Sequence, residues 1–347
     1  MSAHPTLEDC RAELAASFAD HVTRHGLIER RFTVAGTPIM IRFAGERLVE
    51  FLSAAYGHLP RPPETVDPAV VIDTWSPDPD ATLPPLPREA FPETPEQARI
   101  AHRAETQVHY DWDSRTLALH DLAGGHAWSL TADPDKLPWW VRAAPLKLFV
   151  ARQIVARGAT LLHSAAVARN GDAVLLTGPS GSGKSTTSLR CTVGGLGFLG
   201  DDYCVATPAD GRVHSIFGTA KCMPHETDGF EALTATASPR QNTPNEKLIF
   251  WPARVYPDQM VADAAIRGVV ALTVGGSAST TVEPMTGGAA LRALAPSTIT
   301  QLPVLGQGAL SAMAQITSSV PCWQVTLGSD RQGVVDAIAG ILDRGHP

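Results

Sequence analysis

Eight consecutive residues, Gly178-Pro179-Ser180-Gly181-Ser182-Gly183-Lys184-Ser185, restrict what this 347-residue chain can fold into more than any other stretch. They satisfy every fixed position of GxxxxGK[ST], a pattern in which a strand runs into a glycine-rich turn and out into a helix. The context agrees: Ala173-Val-Leu-Leu-Thr177 suits a buried strand, and a helix is expected from Lys184 to Val193. Glycines here let successive backbone N–H groups turn inward and hold phosphate oxygens. The helix start contributes its positive dipole end. Lys184 brings a mobile charge to the β/γ-phosphates, and Ser185 a hydroxyl for Mg²⁺. The expected nucleotide set is Gly178, Ser180, Gly181, Ser182, Gly183, Lys184, Ser185 and Thr186, with ATP and Mg²⁺ as the ligands.

The strand before the loop begins at a tight turn. Asn170-Gly171, between two β-runs, is the strongest short hairpin signal, because both positions must take positive φ. Facing residues then sum to 341, which sets Arg169 against Asp172 and His163 against Gly178. His163 is thereby expected beside the phosphates. Downstream, Gly197-Phe-Leu-Gly-Asp201-Asp202-Tyr-Cys-Val-Ala206 is an apolar strand interrupted by two adjacent acids, which a buried strand does not carry without a reason. An acid at a strand end near such a loop holds Mg²⁺, and a second can take the proton of an attacking hydroxyl.

His163, the loop Gly178-x-Ser180-Gly-x-Gly-Lys-Ser185, Gly197 and Asp201-Asp202 together resemble the C-terminal domain of HPr kinase/phosphorylase, over residues 145–345 with the specific part in 160–205. The resemblance implies an α/β fold of the phosphoenolpyruvate-carboxykinase-like P-loop class with a mixed sheet. It implies that Ser185 and Asp202 serve Mg²⁺, that Asp201 is the general base and that His163 sits by the reacting phosphate. The long Gly-rich segment that HPr kinases carry after the acid pair has no counterpart here. A serine of a peptide or small protein is therefore the expected acceptor in place of HPr, as in relatives acting on lasso-peptide precursors. A small-molecule hydroxyl remains the alternative. A homo-oligomer is also implied by the family's habit.

Lys221, in Phe217-Gly-Thr-Ala-Lys221, and Lys247, in Asn245-Glu-Lys247, flank expected strands and stand between two readings, solvated or reaching the nucleotide. Lys247 joins the expected nucleotide set. Transporter and motor ATPases share the loop spelling but need an LSGGQ signature and a distant Asp-Glu strand, and neither is present. A nucleotide-gated binding module without turnover, in which the acids are expendable, stays open.

Residues 1–135 read as a smaller, strand-rich mixed α+β domain preceding the kinase-like domain 136–347. Helices are expected at Leu7–His25, Glu46–Leu59 and Trp139–Ala156, and hairpins around Gly36 and Asp113-Ser114. Seven prolines between Pro77 and Pro95 forbid regular structure there and mark an excursion that stands between two readings, a solvated surface loop or a cover on the acceptor side of a cleft. A net charge of −7 without a basic cluster excludes a nucleic-acid footprint. Five scattered cysteines without CxxC spacing read as free thiols. No run approaches the ~18 apolar residues of a membrane span, and the N-terminal stretch lacks an apolar leader core, so a cytoplasmic protein is expected.

Overall fold

Thr6 caps the first helix, α1 (Leu7–His25): its hydroxyl accepts from the Asp9 amide, the Asp9 carboxylate accepts from the Thr6 amide, and Gly26 at φ 82° ends the helix. The computed structural model describes residues 6–78, 100–103, 106–238, 246–302 and 306–344. Their contacts divide the chain into two units, Met1–Ala54 with Arg61–Gln153, and Ala55–Pro60 with Ile154–Pro347.

In the first unit the strands β1 (Leu27–Val34), β2 (Thr37–Ala44), β3 (Val70–Trp75), β4 (Ile100–Arg103), β5 (Thr106–Asp111), β6 (Thr116–Asp121) and β7 (His126–Thr131) form one sheet, ordered β1-β2-β3-β7-β6-β5-β4. Both expected hairpins form, β1–β2 across Ala35-Gly36 and β5–β6 beyond Asp111. β3 lies parallel to β2 and to β7, the central strand. Helix α1 lays Cys10, Leu14 and Phe18 on Trp75, Val108, Leu119 and Leu130. Each such large side chain contributes about 1.5–3 kcal/mol when fully buried.

Two helices are shorter than expected. Over 46–59 only α2 (Val49–Ser53) and a 3₁₀ turn at Ala54–Tyr56 form, because Leu48 supplies no capping side chain and Gly57 and Pro60 follow closely. Over 139–156 there are two helices, α3 (Trp139–Ala143) and α4 (Lys147–Val155). Pro145 cannot donate to a helical ladder, and Leu146 turns to φ 55°. Most of the proline-rich excursion, residues 79–99, lies outside the described residues.

The second unit alternates strands and helices. β8 (Thr160–Leu162), β9 (Ala165–Arg169), β10 (Asp172–Thr177), α5 (Lys184–Val193), β11 (Gly197–Gly200), β12 (Cys204–Thr207) and β13 (Arg212–His214) come first. A two-stranded sheet of β14 (Ala220–Cys222) and β15 (Leu248–Phe250) follows, with the short α6 (Glu231–Thr234) between them. Then come β16 (Asp263–Val274), β17 (Thr281–Met285), α7 (Gly287–Gln301), α8 (Gly306–Ser319), β18 (Cys322–Leu327) and α9 (Arg331–Arg344). The larger sheet is mixed: β10 is antiparallel to β9 and parallel to β16, which is parallel to β18. Cys191 of α5 and Val334, Ile338 and Ile341 of α9 pack on Val167, Val174 and Val270 as its core. All five cysteines are buried and free.

Two runs that read as single strands, 160–168 and 197–206, are each broken. Leu162 pairs with Cys204, Thr160 with Ala206 and Ala166 with Gly200, so partner numbers sum to 366 at both rims of the break. A bulge between Phe198 and Gly200 then shifts the outer rungs, Val167 with Phe198 and Ala168 with Gly197, by one. The runs are one antiparallel ribbon opened at a single level, 163–164 against 201–203. Because β8 runs on into β9, the ladder order β9-β10-β16-β13-β12-β8 returns to where it began.

Candidate active site

The phosphate-loop residues sit at the end of β10, in the middle of the sheet. Gly178 takes φ 143°, and a Cβ there would stand 2.6 Å from Ser182 Oγ and 2.9 Å from Leu272 O, so the turn closes only on glycine. Gly181 and Gly183 are also left-handed, at φ 80° and 93°. No side chain caps the N-terminus of α5, so its first amides remain available to a ligand. Ser182 Oγ is buried without a hydrogen-bond partner among the described residues. Lys184 donates to Gly178 O at 2.7 Å and Pro179 O at 3.1 Å, spanning the loop with its ammonium. Burial lowers the Lys184 pKa, and Lys247 and Lys221 lower it further, while Asp202 and Asp201 pull the other way. A cradle of this shape, with free amides, an orphan hydroxyl and a lysine, fits a phosphate chain.

The acid pair sits in the opened level of the ribbon. The hairpin register is the expected one, Asp172 with Arg169 through Leu176 with Ala165, but the ladder stops there. Ser164 ends it by donating from Oγ to Leu176 O at 2.9 Å. His163 therefore does not face Gly178 across a rung. Its amide donates to Thr298 Oγ1 at 3.1 Å, and its Nε2 donates to Asp202 Oδ1 at 2.9 Å. That bond fixes the tautomer and leaves Nδ1 buried without a partner among the described residues.

Lys221 joins the two acids. Its Nζ donates to Asp202 Oδ2 at 2.7 Å and lies 3.9 Å from Asp201 Oδ1, and its amide donates to Asp201 Oδ2 at 2.8 Å. The solvated reading of this residue fails, for it is only 4% exposed. Its strand, β14, pairs residue for residue with β15, immediately after Lys247. Lys247 acts electrostatically on both Asp201 and Lys184. One cluster thus gathers Lys184, Asp201, Asp202, His163, Lys221 and Lys247.

The two carboxyls diverge. Burial raises Asp201, and the neighbouring Asp202 charge adds to this, so it lies above the usual carboxylate range despite Lys221. Burial acts on Asp202 in the same sense, but Lys221 and the His163 hydrogen bond outweigh it and hold Asp202 well below that range. Lys221 itself is raised, because the two acids overcome its desolvation. Tyr203, 5.4 Å from the His163 ring, is pushed up by burial and the two acid charges.

Ser185 and Thr186 are half-buried in the first turn of α5. Sequence reasoning left Lys221 undecided and missed Thr298. The legible signal for Lys221 was a lysine between Ala220 and Cys222 in an apolar strand, which requires a buried acid partner. Thr298 sits in the last turn of α7, where nothing local marks it as a partner of His163.

No family model matches the chain, and no curated protein matches it. Among solved structures, the HPr(Ser) kinase/phosphatase from Coxiella burnetii is similar, at 12% identity and a TM-score of 0.27, over 54% of this chain and 95% of that one. A likeness of that extent carries no argument about chemistry, which has to come from the side chains themselves. No described helix is long and apolar enough to cross a membrane.

Proposed function

We propose that the chain is an ATP- and Mg²⁺-dependent phosphotransferase that moves a γ-phosphate to a hydroxyl, best suited to a serine of a peptide or small protein. The observation that supports it is the meeting of a glycine-built phosphate loop with a buried acid pair whose two pKa values are driven apart. Two carboxyls with opposite shifts suit two roles. Asp202, held charged, suits the metal together with the Ser185 hydroxyl. Asp201, raised toward neutrality, suits the proton of the acceptor hydroxyl, since a base works best with a pKa near the operating pH. When bound, Mg²⁺ neutralises phosphate charge. Lys184 and Lys247 add positive charge on the protein's side, and Lys221 holds both acids in place.

A specific observation favours the reverse division as a second reading. The Asp202 side chain is 24% exposed and that of Asp201 3%, so Asp202, oriented by His163, is the more reachable for an acceptor.

Lys184→Ala, Asp201→Asn and Asp202→Asn test both, with Mg²⁺–ATP affinity and phosphate transfer to serine peptides as readouts. Lys184→Ala is expected to stay folded and to abolish transfer. The base variant should lose ~10²–10⁴ in rate with affinity spared, and the metal variant should lose affinity. Unchanged turnover in folded Lys184→Ala overturns the assignment, and equal affinity losses in both aspartate variants overturn any division of roles.

A further inference from the structure

The first unit gathers a second set of potential ligands that the phosphotransferase reading does not use. His21 and His25 lie four residues apart on α1, hence on one face, with ring centroids 5.5 Å apart. Asp78 follows β3. One nitrogen of each ring and one Asp78 oxygen all lie within 4.8 Å of one another. His25 Nε2 is already 3.3 Å from Asp78 Oδ1. That is roughly the ligand-to-ligand spacing around a tetrahedral ion with bonds of ~2.0–2.1 Å.

The groups behind these three are arranged as orienting partners. His21 Nδ1 lies 3.1 Å from Ser17 O, a pure acceptor, and 3.2 Å from Arg24 Nη2, a pure donor; with its proton on Nδ1 toward Ser17, the ring presents the Nε2 lone pair to an ion. That Nε2 is buried with no hydrogen-bond partner among the described residues. Arg24 holds the other carboxylate oxygen, Asp78 Oδ2, while its Nη2 bonds Asp20 at 2.7 Å and passes 3.2 Å from His21 Nδ1. A carbonyl behind one histidine and a cation behind the carboxylate are what outer-shell partners of a metal site supply. Gly45 donates to Gly26 O at 3.1 Å, tying the ends of α1 and β2 together beside the three residues. A cavity lined by His25, Glu46, Ser76 and Asp78 opens there and leaves room for a water as fourth ligand.

We propose that His21, His25 and Asp78 form a binding site for a divalent transition cation of the zinc class, which fastens the chain leaving β3 to the last turn of α1. Two imidazoles and a carboxylate are borderline-soft donors suited to Zn²⁺ or Co²⁺ and poorly suited to Mg²⁺. The site is independent of the acid pair and of the reading given to it.

The full-length chain, stripped with a chelator, is titrated with Zn²⁺ against a chromophoric competitor and, separately, with Co²⁺ while visible absorption is followed. Variants are His25→Gln and Asp78→Asn, whose side chains are partly exposed and can change without disturbing the core, and Asp202→Asn to mark any zinc taken by the acid pair. The unaltered chain should hold one zinc that Asp202→Asn keeps and that the other two lose. Their affinity should fall by more than the ~10–100-fold that loss of an outer-shell partner costs. The unaltered chain, but neither ligand variant, should melt higher with zinc. Stoichiometry and affinity unchanged by His25→Gln and Asp78→Asn, or the absence of stoichiometric zinc in the unaltered chain, overturns the proposal.

Discussion

Each unit buries acid on its sheet, and the two do so in opposite ways. In the first, Asp73 on β3 faces Arg42 on β2 and His126 on β7. Arg42 Nε and Nη2 grip its two oxygens at 2.5 and 2.7 Å, and His126 Nε2 donates to Oδ2 at 2.8 Å. One acid meets a bidentate guanidinium, and the geometry is closed. In the second, two acids share one directly bonded lysine, and a histidine supplies the remaining contact. The carboxylate charge exceeds the cation bonded to it. A matched pair is architecture, whereas two buried acids directly bonded to a single cation have their pKa values driven apart, as groups in a functional site commonly do.

The sharpest way to break this contrast is Lys221→Met. Removing the cation from a buried pair leaves charge uncompensated and should cost ~3–5 kcal/mol in denaturant unfolding. Adding Asp202→Asn should recover part of it. Unaltered stability in Lys221→Met would mean that the acids are not held by charge at all. Arg42→Met should cost less, about 1.5–3 kcal/mol for hydrogen bonds to a charged group, because Arg42 is partly solvated. Phosphate transfer per folded molecule should not change. A loss of turnover there would place the Asp73 cluster in the chemistry and erase the distinction.

At neutral pH the smallest effect comes from two buried histidines, whose influence appears only on acidification. Burial, with a contribution from Arg152, pulls His120 on β6 down to about 3, and burial pulls His58 in the second unit down to about 4. A histidine depressed below its ordinary 6.5 takes up a proton on unfolding. Its contribution is full above that value and is lost as pH falls from there toward the folded value, by at most ~1.4 kcal/mol per pH unit. His120→Phe should therefore flatten the loss of stability between pH 6.5 and about 3, whereas His58→Phe should flatten it only down to about 4. An acid limb identical to that of the unaltered chain would clear His120 of any part in it.

How much was legible beforehand follows the range of each signal. The phosphate loop, α1, α5 and the Asn170-Gly171 turn are local, and their residues announce them. The acids were legible because Asp201-Asp202 violates an apolar strand. The register from Asn170-Gly171 held for every rung that exists and was wrong only in assuming that the rungs continue to His163. What ended them, Ser164 bonding back to Leu176, is a contact across the hairpin that periodicity does not carry. The grip of Lys221 on residues about 20 positions earlier is of the same kind.

The bond from the Lys221 amide to Asp201 has a genetic consequence. That donor belongs to the main chain, so every amino acid except proline brings the same one. Position 221 thus uncouples two properties that mutation ordinarily changes together, the charge inside a buried cluster and the anchoring of its neighbour. A saturation library there would grade the field on Asp201 while its tether stayed in place, with proline alone cutting the tether.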